Sequence, residues 1–267
     1  MKFLKKTLAV FLSMVVLTVL LVTPTFAYNA EENYNTFQTN VVDENFNVVG
    51  KRITAITTET LENDGVKTIK LHESTHYKFF AQQERFKRLF RDSVKETVVE
   101  ISEDGEYYID GEQLSAEALN TEINYSSSHS NLLNRVESGG REDFTYYTNM
   151  GIAPYDYFKC FARETSNNIF MDSPRGGSIT KWLFSGNDLS DFKMYANNVA
   201  SARTTINGAA TGLIASGIAV LTPGVIFGLI GTVPSALALW NAGNSGNEAM
   251  KNAYNLLERV DGYQPSN

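Results

Sequence analysis

A five-residue segment, His72-Glu73-Ser74-Thr75-His76, matches the HExxH pattern of zinc proteases. In that chemistry two histidines one helical turn apart bind zinc, and the glutamate activates the attacking water. The surroundings are atypical, because the segment directly follows a strand predicted to end at Leu71 and lacks the Gly and His of the metzincin extension. We interpret the match as fortuitous and predict no catalytic residue, metal or cofactor. A zinc protease that uses His72, Glu73 and His76, with Glu96 as the candidate third ligand, stays an alternative.

The remaining residue types that carry out covalent catalysis form no recognisable arrangement. Cys160 is the only cysteine, so the chain has no intrachain disulfide. We predict that Cys160 is a small buried hydrophobe, since no histidine that would activate a thiol lies nearby in the sequence. His129 falls in a Ser-rich segment, and no Ser-His-Asp pattern accompanies it.

The most unusual segment of the chain carries no charge. No Asp, Glu, Lys or Arg occurs in the 44 positions between Arg203 and Glu248, although 20% of the chain is charged. A Leu-Thr-Pro-Gly sequence at 221–224 divides its apolar part into two arms, 204–221 and 224–240. As a helix each arm is about 26 Å long at 1.5 Å per residue, close to the ~30 Å hydrocarbon core of a bilayer. We therefore predict a Gly-rich hydrophobic helical hairpin over residues 204–240.

Small residues recur in this hairpin at intervals of four, which places them on one helical face. Such faces let helix backbones approach closely in membranes. Pro234 complicates the second arm, because proline kinks or ends a helix. An alternative is a helical pair buried in the protein's own core. The membrane and core interpretations are compatible if the hairpin is buried in the soluble protein and inserts into a membrane later. The predicted membrane-insertion residues are Gly208, Gly212, Ser216, Pro223, Gly224, Gly228, Thr232, Ala236 and Trp240.

The sequence of the N-terminal half predicts a β-rich domain over residues 28–123. The polar, Asn-rich residues 28–40 predict a loose tail. Asp-Gly pairs at 64–65 and 104–105 favour two β-hairpins, and aromatic residues three and four apart predict one amphipathic helix within 75–92. A short helix is expected over 114–123. The predicted strands cover 41–42, 46–49, 53–60, 66–71, 96–102 and 106–109.

The second half is expected to be mainly helical. Ser- and Gly-rich residues 124–142 predict a linker, after which residues 143–267 form the C-terminal region. The aromatic residues that open this region are interpreted as core rather than as a sugar-binding surface. An amphipathic helix over 247–260 is expected to cover the hairpin. The fold class predicted is therefore α+β: a hairpin-rich β region followed by a helical region.

The first 27 residues have the features of a cleaved signal peptide. Lys2, Lys5 and Lys6 precede an apolar run, and a small residue, Ala27, marks the predicted cut. Cleavage removes three Lys and no acidic residue, which leaves 20 basic against 30 acidic residues and a formal charge of −10. That balance argues against a nucleic-acid partner, because such binding depends on basic side chains that neutralise phosphates. We expect a secreted, disulfide-free protein.

This layout resembles the large, unmodified geobacillin-type bacteriocins that Gram-positive bacilli secrete. The resemblance spans the chain in its layout, and its specific residues run from Ile206-Asn207-Gly208-Ala209-Ala210-Thr211-Gly212 to Gly224-Val225-Ile226-Phe227-Gly228. It implies an antibacterial protein that kills related bacteria, and it carries no catalytic residue over to this chain. The hairpin is also similar to the apolar hairpin of pore-forming colicins.

Together these observations predict membrane permeabilisation by the hairpin. The expected partners are the target-cell membrane, an envelope receptor, an immunity protein and further copies of the chain in the membrane. A secreted envelope-binding or assembly module, in which the hairpin is only core, is the alternative from another functional class.

Overall fold

The structure of the chain is a computed structural model that describes residues 31–80, 84–120, 134–138, 141–147, 159–163, 168–173, 177–183, 186–218 and 221–260. An antiparallel six-stranded sheet occupies the N-terminal part and helices dominate the C-terminal part. The predicted α+β class is therefore confirmed. The predicted signal peptide lies outside the described residues.

Six consecutive strands form the first sheet in the order of the sequence, each antiparallel to the next. They are β1 (Glu31–Val42), β2 (Val48–Asn63), β3 (Val66–Phe79), β4 (Ser93–Ile101), β5 (Tyr107–Ile109) and β6 (Glu112–Gln113). A short helix, α1 (Glu84–Leu89), lies between β3 and β4, and α2 (Ala116–Asn120) follows β6.

A second antiparallel sheet and three helices complete the described elements. The sheet contains β7 (Asn134–Ser138), β8 (Arg141–Tyr147), β9 (Lys159–Arg163), β10 (Asn168–Ser173) and β11 (Gly177–Trp182). The helices are α3 (Asn187–Ala215), α4 (Pro223–Leu229) and α5 (Pro234–Arg259).

The two predicted hairpins are present, and their turns explain why. Asp64 and Gly65, with φ of 49° and 77°, are the two residues that connect β2 to β3. Positive φ at both central residues is the type I′ geometry that Asp-Gly favours. Gly105, with φ of 78°, sits in the turn from β4 to β5. In the turn after β5, Asp110 and Gly111 also both have positive φ.

The core lies between one face of the first sheet and the helices. Burial alternates along β2, as it does in a strand that has one face covered. Helices α3 and α5 pack along each other beneath that face. The largest fully buried side chains come from both layers: Ile56, Ile69, Leu71, Phe192, Met194, Ile206 and Phe227. The regions predicted as an N-terminal domain and a C-terminal region thus share this core.

Two predictions for the N-terminal half are wrong. Residues 31–40 belong to β1 instead of a loose tail, because pairing with β2 satisfies the backbone of this Asn-rich segment. The helix predicted over 75–92 is reduced to α1, since β3 continues to Phe79. Tyr77 and Phe79 fit a strand as well as a helix, being two residues apart, and the pairing of β3 with Arg52 and Gly50 on β2 decides between them.

The C-terminal half also differs from the prediction. Part of the predicted linker 124–142 is strand, in β7 and the first residues of β8. The second arm of the hairpin is interrupted: α4 ends at Leu229 and α5 begins at Pro234, where proline is tolerated because the first turn needs no N–H donor. The predicted covering helix 247–260 is the continuation of α5 and not a separate element. Among the described residues, no helix has both the length and the apolar character needed to cross a membrane.

Candidate functional site

The HExxH residues lie on a strand rather than on a helix. His72 and His76 are exposed on the open face of β3, and Glu73 points to the opposite, buried face. Because successive side chains in a strand alternate, the two histidines are about 13 Å apart along β3 at ~3.3 Å per residue. Within the described ranges, no three His, Cys, Asp or Glu side chains are placed to hold a metal ion. The arrangement that the zinc-protease alternative requires is therefore not formed.

Glu73 instead contacts helix α5. Its carboxylate accepts a hydrogen bond from Trp240 Nε1 at 2.6 Å and another from Asn244 Nδ2 at 3.2 Å. Glu73 is 6% exposed and Trp240 is 2% exposed, so neither group has water as a substitute partner. A hydrogen bond to an ionised acceptor in such a setting is stronger than a neutral one. Glu73 therefore fixes α5 against the sheet.

Arg52 makes the matching contact from β2. Its Nη1 donates to Asn241 Oδ1 at 2.9 Å in a buried position, whereas its Nε has no partner. We call Arg52, Glu73, Trp240, Asn241 and Asn244 the polar cluster. It joins two strands to one side of α5 with side-chain hydrogen bonds that cross the core.

A small cavity of about 20 Å³ adjoins the polar cluster. That volume fits a single water molecule. Polar side chains that line it include Arg52, Tyr77, Asn198, Ser245, Glu248 and Asn252. Burial raises the pKa of Tyr77 to about 12, so its hydroxyl stays protonated. Burial also raises the pKa of Glu248, and Glu73 adds to that rise while Arg52 opposes it.

The helices α3, α4 and α5 form the helical layer. Residues in and next to α4 make a separate set of close contacts with the sheet and with α2. A Cβ placed on Gly231, between α4 and α5, would lie 2.7 Å from Thr60 Oγ1 on β2, so a side chain at 231 would have to displace the Thr60 hydroxyl. A Cβ on Gly224 would lie 3.4 Å from the main-chain oxygen of Leu119 in α2. Lys67 Nζ donates to the main-chain oxygen of Gly228 at 3.1 Å. The residues in and next to α4 thus pack against β2, β3 and α2.

The predicted hairpin residues do not pair with one another in this structure. Pro223, Ala236 and Trp240 are buried, Gly212, Gly224 and Gly228 are half-buried, and Gly208, Ser216 and Thr232 are exposed. A Cβ on Gly208 or Gly228 would meet nothing within 4 Å, and one on Gly212 would meet only Ser235 Oγ, at 3.6 Å. The close packing of small faces therefore stays a prediction for a membrane-inserted form.

The outward side of the same segment is small and uncharged. Ile206, Ala210 and Leu213 of α3 face the core, while the exposed residues between them carry no charge. We call these exposed positions of the segment the charge-free surface: Thr204, Gly208, Thr211, Ala215, Ser216, Gly217, Val225, Thr232 and Pro234. These nine exposed positions carry no charge, although the chain as a whole is acidic.

The charge-free segment, residues 204–247, is evident in the sequence, whereas the polar cluster is not. A signal was present on α5, where Asn241, Asn244 and Asn247 recur every third residue at the end of the uncharged segment. Their partners on the sheet were hidden, because the alternation along β2 does not show which face Arg52 occupies. No protein-family model matches the chain, and neither a curated protein nor a solved structure matches it.

Proposed function

We propose that this protein is a secreted, bacteriocin-like antibacterial protein that permeabilises the membrane of a target bacterium through its charge-free segment, residues 204–247. The distribution of charge across the interface of sheet and helices supports the proposal. Both formal charges of the polar cluster, Arg52 and Glu73, belong to the sheet, and their partners on α5 are neutral. If residues 204–247 leave the sheet, the charges of Arg52 and Glu73 remain with the strands in water.

The energetics of insertion favour such a segment. A charged side chain at the centre of a bilayer costs roughly 2.5–3.5 kcal/mol on insertion scales, and this segment has none. Its outward side is already uncharged, and its inward side supplies apolar residues that include Ile206, Leu213, Phe227 and Leu237. Leaving the sheet exposes that apolar side, which is unfavourable in water and favourable in lipid. The helical layer would therefore stay in place until it meets a membrane.

The resemblance to the geobacillin-type bacteriocins supports the same function. A predicted signal peptide fits export, and killing of related bacteria fits a membrane as the target. We include in the proposal an envelope receptor on the target cell, an immunity protein in the producing cell and assembly of several copies in the membrane.

Dye release from liposomes tests this function with one position and two substitutions. Gly228 suits the test because a Cβ there meets nothing within 4 Å, so a substitution at this position starts without a steric clash. Gly228→Glu adds a charge to the charge-free segment, whereas Gly228→Ala adds only a methyl group. We expect the secreted chain, residues 28–267, and Gly228→Ala to release dye, and Gly228→Glu to release little.

The same variants distinguish insertion from damage to the fold. Thermal unfolding of both should lie close to that of the parent chain. Equal leakage by Gly228→Glu and Gly228→Ala would contradict insertion of this segment. Absence of leakage from the parent chain, across lipid charges and pH values, would contradict permeabilisation of lipid by the chain alone.

An envelope-binding or assembly module is the second candidate function. The observation that favours it is the burial of the apolar face of the segment in the core, together with the absence of a spanning helix among the described residues. A protein of this kind binds cell envelopes without affinity for liposomes. Sedimentation of the chain with intact cells but not with vesicles would support it.

A further inference from the structure

The small cavity beside the polar cluster is lined by a buried hydrogen-bond donor that has no acceptor. Arg52 lines this cavity and is only 6% exposed. Its Nη1 donates to Asn241 Oδ1 at 2.9 Å, whereas its Nε is buried and makes no hydrogen bond to the described residues. Buried N–H groups in folded proteins nearly always bind a protein atom or an ordered water, so the cavity is where the acceptor for Nε belongs.

Glu248 lines the same cavity from α5. Burial raises the pKa of Glu248 and the positive charge of Arg52 opposes that rise, so the two groups are close enough to interact. In the part of the chain that the structure describes, no direct hydrogen bond joins them, because Arg52 donates to Asn241 alone. A gap between two such polar groups is the usual position of a bridging water.

The size and charge of the cavity select the ligand. Its volume of about 20 Å³ exceeds the ~10–15 Å³ that one water needs. An anion would be repelled by Glu248 when it is ionised and by the nearby charge of Glu73, and a cation would be repelled by Arg52. Water is neutral, accepts from Nε and donates to a carboxylate, and the hydroxyl-bearing Ser201 and Ser245 also line the cavity.

We propose that this cavity binds one water molecule, which bridges Arg52 Nε on β2 to the carboxyl group of Glu248 on α5. Asn241, Ser245 and Glu248 are spaced at intervals of four and three, so they share one face of α5. A single guanidinium group therefore holds α5 at two points, directly through Asn241 and through the water at Glu248. A bridging water is nearly as favourable in enthalpy as a direct hydrogen bond.

The water bridge goes beyond the proposed membrane function and does not depend on it. The bridge belongs to the folded chain in solution, whereas permeabilisation concerns residues 204–247 in lipid. The two proposals can therefore fail separately.

Nuclear magnetic resonance of the ¹⁵N-labelled secreted chain, residues 28–267, tests the bridge at the Nε–H proton of Arg52. A bound water gives a cross-peak to this proton whose sign reverses between laboratory-frame and rotating-frame experiments, whereas simple proton exchange with solvent gives no reversal. Arg52→Lys identifies the resonance by removing it. The matched control is the Nε–H of Arg85, which donates directly to Asp191 at 2.6 Å and should lack a comparable water cross-peak.

Three variants test what holds the water. Glu248→Gln keeps an oxygen acceptor and should retain the cross-peak, whereas Glu248→Leu removes the acceptor and should lose it. Ser201→Ala with Ser245→Ala removes the hydroxyl protons that could relay the signal, and this double variant should retain the cross-peak. Thermal unfolding shows that each variant is folded, and the parent chain decides the presence of the water without any of them.

Three results would overturn the proposal. The first is a resolved Arg52 Nε–H resonance in the parent chain without a sign-reversing water cross-peak. The second is an Nε–H that exchanges with solvent too fast to be observed, since Arg52 would then be open to bulk water. The third is a folded Glu248→Leu variant with the same cross-peak as the parent, because Glu248 would then not hold the water.

Discussion

Removal of the Glu73 side chain is expected to destabilise the protein through the donor that it leaves behind. In Glu73→Ala, Trp240 Nε1 loses its partner at 2.6 Å inside the core. A buried donor without a partner costs about 1–3 kcal/mol, and a hydrogen bond to a charged group contributes about 1.5–3 kcal/mol. The two ranges describe the same loss in part, so we expect a decrease of about 2–4 kcal/mol in the free energy of unfolding.

Two further variants separate the hydrogen bond from the charge. Glu73→Gln keeps an acceptor oxygen and the shape of the side chain, and it should cost less than about 1.5 kcal/mol. Glu96→Ala removes an exposed carboxylate from β4, where Glu96 pairs with His72 next to Glu73. This control should change stability by less than about 0.5 kcal/mol.

Urea unfolding measures these differences, with circular dichroism and tryptophan fluorescence as two probes. Trp240 is one of only two tryptophans, so the fluorescence change reports partly on this contact. Equal stability of Glu73→Ala and Glu96→Ala would refute the role of the polar cluster. If α5 is released from the sheet at a membrane, Glu73→Ala should also release liposome dye faster than the parent chain does.

The remaining predictions concern the core, a buried carboxyl group and the attachment of α3. Phe227→Ala should cost about 3–5 kcal/mol in urea unfolding, because Phe227 is fully buried between Tyr107 and Trp240, whereas Phe80→Ala, at a 63% exposed position, should cost much less. Burial raises the pKa of Glu248, because the buried carboxyl group is more stable neutral than ionised. The free energy of unfolding therefore falls as the pH rises through that raised pKa and the group ionises. Glu248→Gln should therefore raise the thermal midpoint at pH 8 and leave it nearly unchanged at pH 4, and an equal effect at both values would contradict the burial. Asp191→Ala should cost about 3 kcal/mol, since the buried carboxylate binds Arg85 Nε at 2.6 Å, while Glu84→Ala, which removes an exposed partner of Lys87, should have no measurable effect.

Local signals in the sequence predicted the elements that depend on neighbouring residues. The Asp-Gly pairs specify their turns by backbone conformation alone, so both hairpins were predictable. Pro234 indicated a break in the second arm, and the structure begins α5 there. The charge-free segment was evident because absence of charge is a property of the sequence and needs no partner.

The features that the sequence did not predict depend on contacts between residues that are far apart in the chain. Residues 31–40 have little β character of their own and become a strand because β2 offers its edge. In the sequence Glu73 occupies the position of a catalytic residue in the HExxH pattern. In the structure β3 turns the Glu73 side chain toward the core, where it binds Trp240, 167 positions later. Small residues recur every four positions in the sequence, and their predicted close packing stays a prediction. In this structure Ile206, Ala210 and Leu213 form the buried face of α3, and Gly208 is exposed.

A disulfide that locks the helical layer to the sheet tests whether the charge-free segment must leave the sheet in order to act on a membrane. A Cβ on Gly231 would lie 3.9 Å from Thr60 Cβ, within the distance that a disulfide spans. Thr60→Cys with Gly231→Cys, in a Cys160→Ala background, gives one chain that is locked when oxidised and free when reduced. We expect the reduced chain to release liposome dye and the oxidised chain to release none. Equal release in both states would contradict the proposed insertion, because the charge-free segment would then act without leaving the sheet.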